Sequence, residues 1–213
     1  MERDRGAEDA EDDGGGHDRR AGVDRLQALA DLRAGRTGRL SVRYFATVGS
    51  TLVAPALARL RAAHPGVRVD LRLTDPEDPF EEVARGRADL AVVVQAPGRA
   101  GDGFRLVHLL DDPYAAVLPL GHPLAARGCA DLHELSGEQW VGSEPPGPCL
   151  EPVIDSCAAA GFSPDFVIQS EDHATAQGFV AAGLGVGLMP ELGLRSRHPG
   201  VVVRPVRNPV RSA

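Results

Sequence analysis

The chain has 213 residues, of which 43% are hydrophobic, and its 30 acidic and 23 basic side chains give a net charge of −7 at pH 7. That composition suffices for a folded core, and the acidic balance argues against bulk attraction to nucleic acid or to an anionic membrane. No stretch approaches the roughly 20 consecutive apolar residues of a membrane-spanning helix, and the polar N-terminus has no hydrophobic secretion signal. We therefore expect a cytoplasmic protein.

The histidines and cysteines do not form a recognisable metal or redox motif. The three cysteines, Cys129, Cys149 and Cys157, are odd in number and include no CxxC pair, and the seven histidines are scattered. Reduced thiols in a cytoplasmic protein are the simplest interpretation. The sequence predicts no metal and no cofactor.

The N-terminal 34 residues divide into two segments of different character. Residues 1–22 hold eight acids and four arginines with almost no aliphatic surface, which predicts a disordered acidic tail. Residues 23–34 carry apolar side chains at helical spacing and end before Gly35.

The next part of the chain alternates strands and helices. The predicted order is a strand at 40–46, a turn at 47–51, a helix at 52–63, a strand at 67–74, a short helix ending near residue 86, and a strand at 89–94. The strand at 67–74 is the clearest, because its apolar residues recur at every second position. A β-α-β-α-β order predicts a parallel sheet covered by helices.

The pattern restarts after a glycine-rich loop at 97–103. The predicted strands are 104–110, 114–119, 140–142, 165–168, 184–189 and 201–206, and the predicted helices are 131–135, 150–160 and 174–182. The second half is therefore another α/β unit.

The glycine-rich stretch "FVAAGLGVGLMP" at 179–190 first suggests a nucleotide site. A dinucleotide fingerprint requires G-x-G-x-x-G after a strand, but Leu188 occupies the place of the third glycine. A phosphate-binding P-loop is also excluded, because the chain contains no lysine. Instead Gly183 fits the residue that ends a helix, and Gly185 and Gly187 fit a strand closely approached by neighbouring backbone.

Five motifs, in order, resemble the effector-binding domain of LysR-type transcriptional regulators, from about residue 23 to about residue 206. They are the stretch "GRLSVRYFATVGSTLVAPAL", its continuation "ARLRAAHPGVRVDLRL", and the motifs "EEVARGRADLAVVV", "LPLGHPLA" and "VAAGLGVGLMP". The resemblance implies a type 2 periplasmic-binding-protein-like α/β fold with two lobes and a mostly parallel sheet in each. A small-molecule effector would bind between the lobes.

The resemblance also divides the chain. It implies the following segments: an acidic tail at 1–22, a linker-helix remnant at 23–36, lobe 1 at 37–112, lobe 2 at 113–194, and a return segment to lobe 1 at 195–213. The winged helix-turn-helix of the family has no counterpart here, so we expect no specific DNA binding by this chain alone. Members of the family pair side by side, which implies a homodimer.

Candidate ligand-binding residues follow from where strands end and helices begin in such a fold, because helix N-termini favour anions. These residues are Thr47, Ser50, Thr51, Thr74, Gln95, Gly142, Ser143, Asp172 and Thr175. Ser50, Thr51 and Asp172 have a plain alternative as helix N-caps. The expected effector is a small organic acid or an amino acid.

Two other functions remain open at this point. A solute-binding protein of a transporter has the same fold. A cysteine-dependent enzyme would use Cys149, whose pKa a following helix could lower, with His173 as its base.

Overall fold

A computed structural model describes residues 37–74, 78–94, 103–143, 147, 149–170, 172–207 and 211–212. The predicted acidic tail, the predicted linker helix and Gln95 lie outside the described residues.

The first lobe contains the predicted parallel sheet. Its strands are β1 (Thr37–Tyr44), β2 (Gly66–Leu73) and β3 (Leu90–Ala91), with β1 in the centre. Both neighbours pair with β1 in parallel. The β-α-β-α-β interpretation of this half is therefore confirmed.

The first helix begins earlier than the sequence predicts. It starts as α1 (Ala46–Val48), passes through a π segment (Gly49–Val53) and continues as α2 (Ala54–Ala63). The predicted turn at 47–51 is thus wrong. Val48 and Val53 are buried against Leu192 of a distant turn, and that apolar contact favours helix despite the glycine and β-branched residues.

A buried ion pair holds the next helix, α3 (Pro79–Ala84), against the other face of the sheet. Arg43 of β1 donates to Glu82 at 3.1 Å, and both side chains are buried. Arg87 also donates to Glu82, and this bond is the first cause of the lowered pKa of the Glu82 carboxyl. The carboxylate therefore links β1, α3 and the loop after α3.

The second lobe is built around one long strand, β4 (Asp112–Pro119). The other elements are β5 (Gln139–Gly142), α4 (Glu151–Ala159), β6 (Asp165–Gln169), α5 (His173–Ala181), β7 (Gly187–Pro190), β8 (Val201–Pro205) and β9 (Arg211–Ser212). Short 3-10 turns lie at Pro123–Ala126, Leu132–Leu135 and Glu191–Leu194.

The pairing in this lobe is mixed. β5 and β6 are parallel, whereas β4 is antiparallel to β7, β8 and β9. The predicted α/β class with parallel sheets is confirmed, and the antiparallel pairs around β4 are an addition to it. β8 pairs with β4 in the second lobe. The resemblance implies instead that residues 195–213 return to lobe 1. The boundaries of the lobes remain a prediction.

Most of the buried core belongs to the second lobe. Trp140, the one tryptophan of the chain, is fully buried there beside Phe162 and Phe166, with ring centroids 5.8 and 6.4 Å away. The first lobe has a smaller cluster around Val48 and Val53. Within the described residues, no helix is both long enough and apolar enough to cross a bilayer.

The glycines of the 179–190 stretch have the structural roles that the sequence predicts. Gly183 follows α5 with a φ of 77°, the left-handed conformation of a residue that ends a helix. At Gly185, an added Cβ would lie 2.6 Å from the carbonyl oxygen of Gln139. The backbones approach so closely there that only glycine fits.

Candidate functional site

The turn Glu191–Leu194 brings the starts of two helices together. Leu192 packs on Val48 and Val53 of the first helix. A Cβ added at Gly193 would overlap the ring of His173, the first residue of α5. The N-terminal ends of the first helix and of α5 therefore lie on either side of this turn.

The same turn is anchored to the start of β4. The Oδ1 atom of Asp112 accepts a hydrogen bond from the backbone N–H of Leu192 at 3.0 Å. Asp112 is buried, and this burial raises the pKa of its carboxyl above the ordinary value. Asp112 therefore links the start of β4 to the turn Glu191–Leu194, which follows β7.

A cavity of about 730 Å³ adjoins this anchor. Charged groups of both signs line it, with apolar walls between them; the charged residues are Asp111, Asp112, Glu191, Arg195 and Arg197. None of the nine predicted site residues lines it. Sequence reasoning missed this cavity. Its local signals are two like-charged groups, the adjacent acids "DD" at 111–112 and the arginines of "RSR" at 195–197.

The predicted residues of the first helix separate into two groups. Thr47 lies in the first turn, where backbone N–H groups have no partner within the helix. Ser50 and Thr51 lie in the π segment, and the Thr51 hydroxyl donates to the Thr47 carbonyl at 3.3 Å. The N-cap residue is Phe45, so the N-cap interpretation of Ser50 and Thr51 is wrong.

Thr74 is tied to the end of β1. Its backbone N–H and its hydroxyl both donate to the carbonyl of Tyr44, at 2.9 and 3.2 Å. The Tyr44 carbonyl immediately precedes the first helix. Thr74 and Thr47 therefore belong to the same end of the first sheet.

In the second lobe, Gly142 and Ser143 lie where β5 ends. The neighbouring strand β6 ends alongside, and the N–H of Ser170 donates to the carbonyl of Gly142 at 3.0 Å. An added Cβ at Gly142 would lie 3.2 Å from the Phe166 ring. Glycine keeps the chain close to that ring just before Ser143.

The Ser143 hydroxyl is the most unusual polar group of this region. The residue is only 3% exposed, and its Oγ atom has no hydrogen-bond partner among the described residues. Burying a hydroxyl without a partner costs about 1–3 kcal/mol. A bound molecule that hydrogen-bonds to this hydroxyl would recover that cost.

Asp172 is the N-cap of α5, as its plain interpretation predicts. Its Oδ1 atom accepts the N–H of Thr175 at 2.7 Å. Interaction with the Thr175 side chain and backbone N–H lowers the pKa of the Asp172 carboxyl. The cap satisfies one amide at the start of α5 and leaves a negative charge there.

The cysteines give no support to a thiol-dependent reaction. Cys157 is fully buried in α4, and this burial raises its pKa to about 11, so its thiolate is scarce at neutral pH. Cys149 contributes its backbone carbonyl, which accepts the Tyr114 hydroxyl at 2.7 Å. The described residues contain no cluster of three or more potential metal ligands.

Comparison with known proteins assigns the family. Residues 33–213 match the model of the LysR substrate binding domain, so the chain belongs to that family. Its curated relatives are transcriptional regulators. One of them is the transcriptional dual regulator GltC of Bacillus subtilis, which is 30% identical over 168 residues, covering 78% of this chain and 55% of GltC.

Solved structures support the same fold. HinK, a LysR family transcriptional regulator from Pseudomonas aeruginosa, gives a TM-score of 0.72 at 20% identity and covers 95% of this chain and 71% of HinK. The CcmR regulatory domain of Synechocystis PCC6803, in complex with 2-PG, gives 0.71 at 18% identity and covers 83% and 85%. The chain spans 51–60% of the length of the first curated relatives that it matches.

Proposed function

We propose that this chain is the effector-sensing domain of a LysR-type transcriptional regulator and that its effector binds between the two lobes. The buried hydroxyl of Ser143, which has no hydrogen-bond partner among the described residues, is the observation that carries the proposal. Ser143 follows Gly142, whose carbonyl accepts the N–H of Ser170, two residues before the N-cap of α5. The turn at 191–194 contacts both the start of α5 and the first helix. The family assignment favours a regulator over a transporter component.

The proposed effector is a small organic acid or an amino acid. The first turn of the first helix offers backbone N–H groups and the partial positive charge of a helix N-terminus. Thr47 lies in this turn, and the Ser143 hydroxyl supplies a neutral donor from the other lobe. Among proteins of the same fold, the CcmR regulatory domain holds 2-PG.

The response would pass through the turn at 191–194. This turn contacts Val48 and Val53 of the first helix, while Gly193 lies against His173 of α5. A ligand that binds the closed arrangement of the lobes more tightly than the open one shifts the population toward it. The turn, held by Asp112, would then take a different position relative to the lobes.

The remaining parts of the proposal concern the chain's partners. We propose a cytoplasmic, non-enzymatic homodimer that binds no specific DNA by itself, because the described residues include no DNA-reading helix and the chain is acidic. A gel-shift titration at physiological salt should show no sequence-dependent retention. Light scattering at tens of micromolar, a concentration typical of weak interfaces, should detect dimer.

A thermal-shift screen of small carboxylates and amino acids tests the binding proposal, followed by calorimetry on Ser143→Ala. Loss of a hydrogen bond to a charged acceptor is worth roughly 1.5–3 kcal/mol, so affinity should fall by about 10- to 100-fold. The apo stability should not fall, since the hydroxyl has no described partner to lose.

The matched control is Ser136→Ala, at an exposed position after the 3-10 turn Leu132–Leu135. It should leave affinity unchanged. Equal affinity of the Ser143 variant and the parent would refute the site. If no carboxylate or amino acid in the screen stabilises the chain, the proposed effector chemistry is refuted.

A further inference from the structure

The cavity beside the Asp112 anchor is separate from the proposed cleft between the lobes. The described residues that line it include none of the nine candidates for the cleft. It lies between the start of β4, the turn Glu191–Leu194 and the segment that follows this turn. Its volume of about 730 Å³ is within the range of roughly 300–1,000 Å³ that is typical of sites for small molecules.

Two buried polar side chains hold the walls of this cavity. Asp112 holds the turn, and Gln177 of α5, which is only 1% exposed, holds the segment after the turn. The Oε1 atom of Gln177 accepts the backbone N–H of His198 at 2.8 Å, and its Nε2 atom donates to the carbonyl of Ser196 at 3.2 Å. These two bonds flank Arg197, so the backbone that carries this arginine is fixed on both sides.

The charged groups of the cavity have opposite signs. Arg195 and Arg197 supply two guanidinium groups from the segment after the turn, and Glu191 supplies a carboxylate from the start of the turn. Asp111 and Asp112 also line the cavity. Their carboxylates already bind a histidine at 3.1 Å and a backbone N–H at 3.0 Å, respectively, so we assign neither of them to a ligand.

The wall between the charged groups is aliphatic. Leu110, Leu194 and Val203 line the cavity, and Leu194 is buried in the core of the second lobe. A ligand that fits this lining has one anionic group, one cationic group and an apolar part. A simple carboxylic acid would leave Glu191 beside a further negative charge, and a simple amine would leave the two arginines without an anion.

We propose that this cavity is a second ligand site and that it binds a small zwitterion, an α-amino acid with an aliphatic side chain. Arg195 and Arg197 bind its carboxylate, because guanidinium groups match the planar geometry of a carboxylate. Glu191 binds its ammonium group. The site is additional to the effector cleft, and its existence does not depend on that cleft.

Calorimetry with L-leucine tests the site. The titration uses the Ser143→Ala chain, which lacks the proposed hydroxyl donor of the cleft. L-leucine should bind saturably. L-leucinamide lacks the carboxylate and 4-methylpentanoate lacks the ammonium group, so each should bind about 10- to 100-fold more weakly, as expected for the loss of a hydrogen bond to a charged group.

Substitutions in the cavity should separate its two charged subsites. Adding Arg197→Ala should weaken the binding of both L-leucine and 4-methylpentanoate, and L-leucine should lose about 10- to 100-fold. Adding Glu191→Gln should weaken the binding of L-leucine but not that of 4-methylpentanoate. A general loss of structure would not produce this difference between the two ligands.

The matched control is Arg59→Ala, because Arg59 is an exposed arginine on α2 that does not line the cavity. It should leave the affinity for L-leucine unchanged. Circular dichroism matched to that of the parent establishes that each variant is folded. The proposal is overturned if L-leucine shows no saturable binding up to about 10 mM. It is also overturned if Arg197→Ala leaves the affinity unchanged, or if either analogue binds as tightly as L-leucine.

Discussion

The carboxylate of Asp112 accepts the backbone N–H of Leu192 at 3.0 Å, and this bond fixes the turn that both helix starts contact. Replacement of Asp112 by alanine leaves a buried N–H without its acceptor. We expect the free energy of unfolding to fall by about 1–3 kcal/mol. Denaturant titration measures it, with Asp111→Ala, at an exposed position, as the control; equal losses in the two variants would contradict the anchoring role.

The pH dependence of the same residue has a definite sign. Burial raises the pKa of Asp112, so its protonated form contributes stability that is fully present below the unfolded value of about 3.9 and is lost as pH rises through the folded value. Asp112→Asn cannot titrate. The stability of the parent relative to this variant should therefore increase as pH falls from 7 toward 4, and a flat difference would show that Asp112 is not desolvated.

Gly193 should not tolerate a larger side chain. A Cβ there overlaps the His173 ring, so Gly193→Ala should lower stability by about 1–3 kcal/mol, which is typical of overpacking. Adding His173→Ala to that chain removes the ring and should restore part of the loss. Additive losses in the double-mutant cycle would mean that the two residues do not interact.

Cys157 should resist alkylation in the folded chain. Its pKa of about 11 and its complete burial leave almost no reactive thiolate at pH 8. Iodoacetamide followed by peptide mass spectrometry should label Cys129 and Cys149, which are partly exposed, before Cys157. In denaturant all three should react alike, and fast labelling of native Cys157 would contradict the burial.

The buried carboxylate of Glu82 should matter more for stability than its exposed neighbour. Glu82→Ala leaves Arg43 buried without its ionic partner, whereas Glu81 pairs with Arg85 at the surface. Glu82→Ala should therefore lower Tm clearly, and Glu81→Ala should change it little. Similar Tm values for the two variants would argue against a structural role of the pair.

The parts of the fold that the sequence predicts are those determined locally. The period of two in 67–74 gives the β2 strand, and Gly183 gives the end of α5, because each depends on a few neighbouring residues. The predicted start of the first helix was wrong, because the observed start depends on a contact with Leu192, which is distant in sequence. The glycine and threonine residues at 47–51 predict a turn when only the local sequence is considered, because the contact with Leu192 is not part of it.

The candidate site was less predictable than the fold. Strand ends and helix starts indicated Ser143 and Asp172 from the expected topology. The sequence could not show that the Ser143 hydroxyl is buried with no partner in the described part of the chain, because burial depends on packing by several segments. Asp112 was missed because its role arises from a backbone N–H, and a backbone donor carries no sequence signal.

The position of Trp140 determines what fluorescence can report about this chain. The one tryptophan is fully buried in the second lobe, beside Phe162 and Phe166. Its emission should shift to longer wavelength when the second lobe unfolds. It should stay nearly constant if only the first lobe unfolds. A melting curve from tryptophan emission therefore reports the unfolding of the second lobe alone. A difference between its midpoint and the midpoint from far-ultraviolet circular dichroism would show that the two lobes unfold independently.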